Sequence, residues 1–418
     1  MSHEASTPHR PADAWRADEV RRLLAFGAPS VDGSDGAVWL DDDGRPDPDQ
    51  PVHTWITSRM AHTYSLGELL GVPGSAARAD RALAGLTGTL RDGEHGGWFA
   101  ARGPGGAVDG TKAAYAHAFV VLAAASASQA GRPGAGALLD EALSVLDERF
   151  WEDEAGLLAD EWDRAWTTLA PYRGINANMH GVEALLAASD ATGDARWRDR
   201  AARIVDRTTA WAADNDWRIP EHFTAGWAPD LAFNADRPHD QFKPYGSTPG
   251  HGFEWARLML QLDVAAEQVG RRTDAAARLF DRALADGFDG TGFVYTVDWS
   301  GDPVERRRFH WVAAEAVAAA EVLAVVTGAS RYAEQAGAWW ELVRERFVDH
   351  EHGSWHHELD TANRPSGDVW AGKPDIYHAV QALLVPDLPL TGSLAESARR
   401  ARDAAAAPAQ PPASPASR

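Results

Sequence analysis

The segment RGINANMHGVEALLAASDATGD, residues 173–194, joins two kinds of sequence in one predicted helix. Its second half has apolar residues at helical spacing and stops at Gly193, because glycine is favoured just after a helix C-terminus. Its first half is rich in amides and contains an imidazole. At 100° per residue, three polar residues share one face of this helix. They are Asn176, His180 and Glu183.

Five further segments share this character, being apolar nearly all round with polar residues near the start. They are TWITSRMAHTYSLGELL (54–70), KAAYAHAFVVLAAAS (112–126), GHGFEWARLMLQL (250–262), FHWVAAEAVAAAEVLAVV (309–326) and IYHAVQALLV (376–385). Amphipathic stretches such as ARWRDRAARIVDRTTAWA (195–212) lie between them. An apolar helix must be covered on all sides, whereas an amphipathic helix can form the outside. The pattern therefore predicts six inner and six outer helices.

A short turn motif recurs at intervals of about 60 to 75 residues along the chain. Examples of the motif are GGWFAARG from Gly96, DWRIPEHFT from Asp216 and GSWHHELD from Gly353. Repeats of fixed period indicate a repeat architecture. We predict an all-α fold, an (α/α)6 barrel with short β-hairpin-like turns at one end. An open α-solenoid is the alternative, although it would normally have polar terminal caps.

The expected domain organisation is one catalytic barrel over residues 13–396. Residues 1–12 and the Ala- and Pro-rich residues 397–418 contain too little bulky apolar sequence to fold. We expect both tails to be disordered.

Composition excludes several classes of function. The net charge of −21 disfavours nucleic acid or an anionic membrane as a partner. The chain has no cysteine, which excludes disulfides and thiol catalysis. No apolar signal segment begins the sequence, so a cytoplasmic enzyme is expected. The eighteen tryptophans suggest carbohydrate binding, because indole rings stack on sugars, but core packing is the more common role.

If the inner helices line a barrel, their polar residues converge on one funnel. A histidine pair can exchange protons near neutral pH, and an arginine can stabilise an oxyanion. Proton abstraction beside a sugar carbonyl needs this set and requires no cofactor or metal. Arg59 could instead pair with a glutamate, and Glu254 and Glu315 could only orient histidines. The candidates are Arg59, Tyr115, Asn176, His180, His251, Glu254, Trp311, Glu315, Lys373, Asp375 and His378.

Four stretches resemble, in order, motifs of the N-acylglucosamine 2-epimerase superfamily. They are YRGINANMHGVEALLAASDATGD, PGHGFEWARLMLQL, HWVAAEA and KPDIYHAVQALL. The resemblance covers about residues 15–390 and is strongest to the branch of aldose–ketose isomerases that contains mannose isomerase and sulfoquinovose isomerase. It implies a six-fold α/α barrel and no cofactor.

The resemblance also implies roles for individual residues. His378 would be the base that moves a proton between C1 and C2 through a cis-enediol. His251 would assist ring opening and serve the sugar oxygens, and Arg59 would stabilise the enediolate. The residues that the resemblance implies hold substrate are Tyr115, Asn176, His180, Glu254, Trp311 and Trp370. Helix spacing adds Glu315, one turn after Trp311, to the expected substrate-binding residues.

The expected reaction interconverts D-mannose and D-fructose, and also D-lyxose and D-xylulose. A sulfoquinovose isomerase is an alternative that would need cations near the sulfonate, for which Arg237, Lys243 and Arg364 are candidates. A cellobiose or N-acylglucosamine 2-epimerase is another alternative. A glycoside hydrolase would use two carboxylates roughly 5–9.5 Å apart. A monosaccharide is the expected partner, and the protein is expected to be a monomer or homodimer.

Overall fold

The computed structural model of this chain describes residues 13–33 and 36–407. Each predicted apolar segment forms a helix, and an amphipathic helix follows most of them. Short turns of other helix types lie at Pro104–Gly106, Leu146–Phe150 and Val385–Asp387. In chain order the α-helices are α1 (Ala14–Phe26), α2 (Ala28–Asp32), α3 (Thr54–Leu69), α4 (Ser75–Thr87), α5 (Ala114–Gln129), α6 (Ala135–Val145), α7 (Ile175–Thr192), α8 (Ala195–Asp214), α9 (Pro249–Ala265), α10 (Thr273–Gly287), α11 (His310–Thr327), α12 (Ser330–Arg346), α13 (Tyr377–Leu384) and α14 (Leu394–Ala406).

Six of these helices form a closed inner ring. Helices α3, α5, α7, α9, α11 and α13 each contact the next, and α13 contacts α3. Helices α4, α6, α8, α10 and α12 pack outside the ring, and α1 covers α13 as the sixth outer helix. The predicted (α/α)6 barrel is therefore confirmed.

The difference between inner and outer helices follows from their sequences. Helix α8 buries Trp197, Ala201, Ile204, Val205, Thr208 and Ala212 on one face and exposes charged residues on the other. Helix α11 is buried nearly all round. It is the one described helix long and apolar enough to cross a membrane, but most of it is packed inside the barrel. Helix α7 ends where Gly193 adopts φ +73°, a left-handed conformation that favours glycine.

Short strands lie at the N-terminal ends of the inner helices. Four of them directly precede an inner helix and pair antiparallel with a strand in the loop of the following repeat, as when Arg173–Gly174 before α7 pairs with His222–Phe223 before α9. The other pairs are short antiparallel hairpins within one loop. This arrangement confirms the predicted hairpin-like turns at one end. The strands are β1 (Val52–His53), β2 (Ala101–Arg102), β3 (Val108–Asp109), β4 (Lys112–Ala113), β5 (Trp151–Glu152), β6 (Leu157–Leu158), β7 (Glu161–Trp162), β8 (Arg173–Gly174), β9 (His222–Phe223), β10 (Thr296–Val297), β11 (Pro303–Glu305), β12 (Arg308–Phe309), β13 (Glu358–Leu359) and β14 (Pro365–Ser366).

The C-terminal region differs from expectation. Disorder from residue 397 was predicted, and this is wrong for residues 397–406, which belong to helix α14. Ser393 caps this helix, and Leu394, Ala395 and Ala398 are buried where α14 packs against α3, α5 and α7. Residues 1–12 and 408–418, where the remaining predicted tails lie, are outside the described residues.

Candidate active site

A pocket opens at the end of the barrel where the inner helices begin. Each inner helix contributes a side chain from its first two turns, so six helix N-termini point toward the pocket. The partial positive charge of helix N-termini stabilises negative charge that develops there during a reaction. Of the ten residues expected to act in catalysis or to hold substrate, nine line this pocket: Arg59, Tyr115, Asn176, His180, His251, Glu254, Trp311, Trp370 and His378.

His378 lies in the first turn of α13 and is 6% exposed. Its Nδ1 is 2.9 Å from Oε1 of Glu315 on the neighbouring helix α11. Burial and the nearby Arg59 lower the pKa of His378 well below its ordinary value, so the imidazole is neutral. When Glu315 is ionised, Nδ1 donates its proton to the carboxylate and Nε2 keeps a lone pair. That lone pair can accept a proton from a bound molecule.

Glu315 itself does not line the pocket. Its expected place among the substrate-binding residues is therefore corrected, because it lies behind His378 and is 2% exposed. The sequence also offered a second role for Glu315, which is to orient a histidine, and its contact with His378 agrees with that role.

His251 is the second histidine with a carboxylate on Nδ1. Both carboxylate oxygens of Glu221, a residue of the loop before α9, lie 3.0 Å from this nitrogen. The ring of Trp311 lies beside both histidines, with its centroid 5.3 Å from that of His251 and 5.7 Å from that of His378. Two imidazoles with separate carboxylate partners thus share one aromatic wall.

Arg59 is the cation of the pocket. Its Nη1 donates to Oδ2 of Asp375 at 3.1 Å, and its Nη2 donates to the hydroxyl of Tyr115 at 2.9 Å. The rings of Phe119 and Tyr377 lie within 4.7 Å of the guanidinium carbon. Burial opposes the charge, but Tyr115, Asp375 and Tyr377 offset it and raise the pKa of Arg59, so the guanidinium is permanently charged.

Several pocket residues offer unused hydrogen-bonding groups. Among the described residues, none donates a hydrogen bond to Oδ1 of Asn176 or to either carboxylate oxygen of Glu254. Burial and the neighbouring Glu315 raise the pKa of Glu254 well above its ordinary value. Burial lowers the pKa of His180 to about 4 and raises that of Tyr115 to about 12, so both are neutral at pH 7. These groups suit the hydroxyls of an uncharged ligand.

Six of the eighteen tryptophans illustrate two different positions. Trp98, Trp255 and Trp355 are fully buried in the core. Three others line the pocket, where Trp55 and Trp370 meet edge to face with centroids 6.3 Å apart. Flat aromatic walls with a few polar groups are common in sugar sites.

Two further candidates from the sequence, Lys373 and Asp375, have different positions, and three residues that were not expected, Glu221, His310 and His357, line the pocket. Lys373 does not line the pocket, because its Nζ donates a hydrogen bond to Oδ2 of Asp349 at 2.6 Å. Asp375 does line the pocket. His310 and His357 line it as a stacked pair with centroids 3.9 Å apart. Glu221 belongs to the turn DWRIPEHFT. The sequence signal for Glu221 was its place in this recurring turn motif, which lies in the loop between α8 and α9 at the pocket end of the barrel.

Two overlapping groups of side chains have the spacing of a metal site, with ligand atoms within 4.8 Å of one another. The groups are His180, Glu183 and Glu254, and Glu254, Glu315 and His378. The guanidinium of Arg257 lies between the carboxylates, with Nη2 3.5 Å from Glu254 and 2.9 Å from Glu315. The protein thus supplies a cation to this cluster, and we assign no metal to it.

Comparison with known proteins gives consistent relatives. Residues 36–382 match the family N-acylglucosamine 2-epimerase (GlcNAc 2-epimerase). The chain is 50% identical over 399 residues to a D-mannose isomerase of Thermobifida fusca, covering 94% of this chain and 97% of the relative. It is 47% identical over 393 residues to one of Pseudomonas cannabina pv. alisalensis, covering 92% and 94%. A crystal structure of a D-mannose isomerase superposes with a TM-score of 0.84 at 29% identity, covering 91% of this chain and 98% of that one.

Proposed function

This chain belongs to the N-acylglucosamine 2-epimerase family, and from this premise we propose that it is an isomerase interconverting D-mannose and D-fructose. The relatives that match nearly its whole length are D-mannose isomerases. The observation that carries the proposal is the pair His251 and His378, which lie against one tryptophan with a carboxylate on each Nδ1. D-Lyxose, which has the same configuration at C2, is the proposed second substrate.

His378 is the proposed base. Its neutral ring and free Nε2 suit removal of the proton from C2 of open-chain mannose, whose bonding electrons then form the C1–C2 double bond of a cis-enediol. The same nitrogen returns a proton to C1, and C2 becomes the ketone of fructose. No redox cofactor takes part, because the pair of electrons stays within the sugar.

His251 and Arg59 have complementary proposed roles. His251 moves protons at the sugar oxygens, first to open the ring and then between the oxygens on C1 and C2. Arg59 cannot donate its proton, so it stabilises the negative charge on the enediolate oxygen. Tyr115, Asn176, His180 and Glu254 are proposed to hold hydroxyl groups, and Trp311 and Trp370 to hold the ring faces.

The pocket favours an uncharged sugar over a sulfonated one. Of the Lys and Arg side chains that the structure describes, Arg59 alone lines the pocket, and Asp375 neutralises it. Arg237 bonds Asn234, Lys243 lies 3.1 Å from Glu161 and Arg364 pairs with Asp360, so none of these cations is directed at a sulfonate.

A glycoside hydrolase is also less well supported. It would need two carboxylates free to act as acid and base or nucleophile. Asp375, Glu221 and Glu254 line the pocket, but the first is paired with Arg59 and the second with His251. Glu254 alone is left without a hydrogen bond among the described residues.

The substrate is a sugar, whereas the monomeric or dimeric state, the cytoplasmic location and the lack of a metal requirement remain predictions.

The test is to incubate purified protein separately with D-mannose, D-lyxose, D-glucose, cellobiose, N-acetylglucosamine and sulfoquinovose and to identify each product by chromatography. We expect fructose from mannose and xylulose from lyxose as the fastest conversions. Faster epimerisation of cellobiose or N-acetylglucosamine, or faster turnover of sulfoquinovose, would reject the proposal.

A further inference from the structure

Arg257 lies beneath the pocket floor, on the same helix as His251 and Glu254. It is 2% exposed, so its charge is isolated from solvent. Its Nε donates to Oε2 of Glu315 at 3.0 Å, and its Nη1 donates to Oε1 of Gln261 at 3.0 Å. Arg257 does not line the pocket and cannot contact a sugar.

The two oxygens of Glu315 have different partners. Oε2 faces Arg257, and Oε1 is 2.9 Å from Nδ1 of His378. We infer that Arg257 is a positioning residue that acts through Glu315 to hold His378 in the tautomer with a free lone pair on Nε2. This inference rests on the proposed role of His378 as the base of the isomerase.

The physical reason is the ionisation state of Glu315. Burial raises the pKa of this carboxyl, and Arg257 opposes that effect. Without the guanidinium, a neutral Glu315 would donate its own proton to Nδ1 of His378. The imidazole proton would then reside on Nε2, and no base would face the substrate.

Other charges around the pair make Arg257 decisive. Two further carboxylates lie near Glu315. Glu183 of α7 raises the pKa of Glu315, and Glu254 of α9 interacts with Glu315 as a second negative charge. The titratable and charged groups that face Glu315 are Arg257, Glu254, Glu183, His180 and His378. Those that face His378 are Arg59, Asp375, Glu254, Glu315, His180, His310 and His357.

The first experiment compares Arg257→Gln with Arg257→Lys in the full chain. Arg257→Gln should lower kcat by at least ~10², because the base is lost. Any rise in KM should be smaller, because Glu254, which also loses its cation at 3.5 Å, is one of several substrate-holding groups. As Glu315 then ionises only at higher pH, the acid limb of kcat/KM should move up by about one pH unit or more. Arg257→Lys keeps the charge, so its acid limb should stay within about half a unit of the original.

A matched control separates this role from structural support. Arg272→Gln also removes a buried arginine that pairs with a carboxylate of α9, because Arg272 Nη1 bonds Oδ1 of Asp263 at 2.7 Å. Asp263 lies near the C-terminal end of α9, and Arg272 does not line the pocket. This variant should lose stability but keep both kcat and the acid limb.

The tautomer of His378 can be measured without turnover. Long-range 1H–15N NMR of histidine-labelled protein, assigned by difference from His378→Asn, should show the Nδ1–H form in the original chain and in Arg257→Lys. Arg257→Gln should show the Nε2–H form at neutral pH. An unchanged tautomer in folded Arg257→Gln, or a lower kcat with an unmoved acid limb, would overturn the inference. Failure of the proposed function is distinguishable, since it would remove mannose turnover from the original chain but leave the tautomer comparison valid.

Discussion

Replacing Arg59 by methionine should destabilise the fold and slow catalysis for two separable reasons. The substitution leaves Asp375, which is 4% exposed, without its guanidinium partner. Removing one member of a buried ion pair costs about 3–5 kcal/mol, because the remaining charge is uncompensated. The proposed loss of positive charge at the enediolate should also cost about 2.7–4 kcal/mol of transition-state stabilisation, equivalent to ~10²–10³ in kcat.

The double variant Arg59→Met/Asp375→Asn separates the two effects. With both charges removed, the free energy of unfolding should recover by about 2 kcal/mol or more relative to Arg59→Met. The kcat should not recover, because no cation is left to face the intermediate. Asp375→Asn alone keeps the cation and should retain most of kcat.

The assay is urea denaturation of the original chain and the three variants, paired with kcat for mannose. Recovery of both stability and kcat in the double variant would refute the reasoning. It would mean that Arg59 serves only to neutralise Asp375. Equal stability in all four proteins would refute the buried ion pair as the source of the structural cost.

Three further predictions concern histidines. His378→Asn should lower kcat by ~10²–10⁴ with little change in KM, whereas the exposed His350→Asn should leave both unchanged in steady-state assays. Glu221→Gln keeps a hydrogen bond to His251 but loses the negative charge, so kcat for mannose should fall about tenfold. An unchanged kcat would show that the charge of Glu221 does not support His251. Burial lowers the pKa of His62 to about 4, so the unfolded chain binds this proton from about pH 6.5 downward and the folded chain does not. The free energy of unfolding should therefore fall as the pH drops from 6.5 to 4. His62→Gln should reduce the slope of unfolding free energy against pH by about 1 kcal/mol per pH unit. An unchanged slope, measured by urea titration at several pH values, would show that His62 is not the source of this pH dependence.

The fold could be predicted because it depends on local periodicity. Apolar helices with polar starts, repeated with amphipathic partners, specify an inner and an outer ring. Helix α14 was missed because ARRARDAAAA contains few bulky apolar residues. Alanine and arginine nevertheless have high helix propensity, and the small side chains of Ala395 and Ala398 allow close packing on the barrel.

The site could be predicted only in part, for a related reason. His251 and His378 stand near the starts of inner helices, and motif and position both identify them. Their partners come from distant parts of the chain, since Glu315 is 63 residues from His378 and Glu221 is 30 residues from His251. Such pairs depend on how the ring closes, which local spacing does not encode. The glutamate expected as a partner for Arg59 is likewise an aspartate 316 residues away.

The most direct test of the account is NMR of metal-stripped protein incubated with D-mannose in D2O. Proton transfer by His378 through a cis-enediol predicts that solvent deuterium accumulates at C1 of fructose over repeated turnovers, because the proton held by His378 exchanges with D2O in a fraction of them. Retention of activity after chelation would also agree with chemistry carried by side chains alone. Fructose that still carries no deuterium at C1 after many reversible turnovers, or glucose as the main product, would contradict the proposed proton transfer.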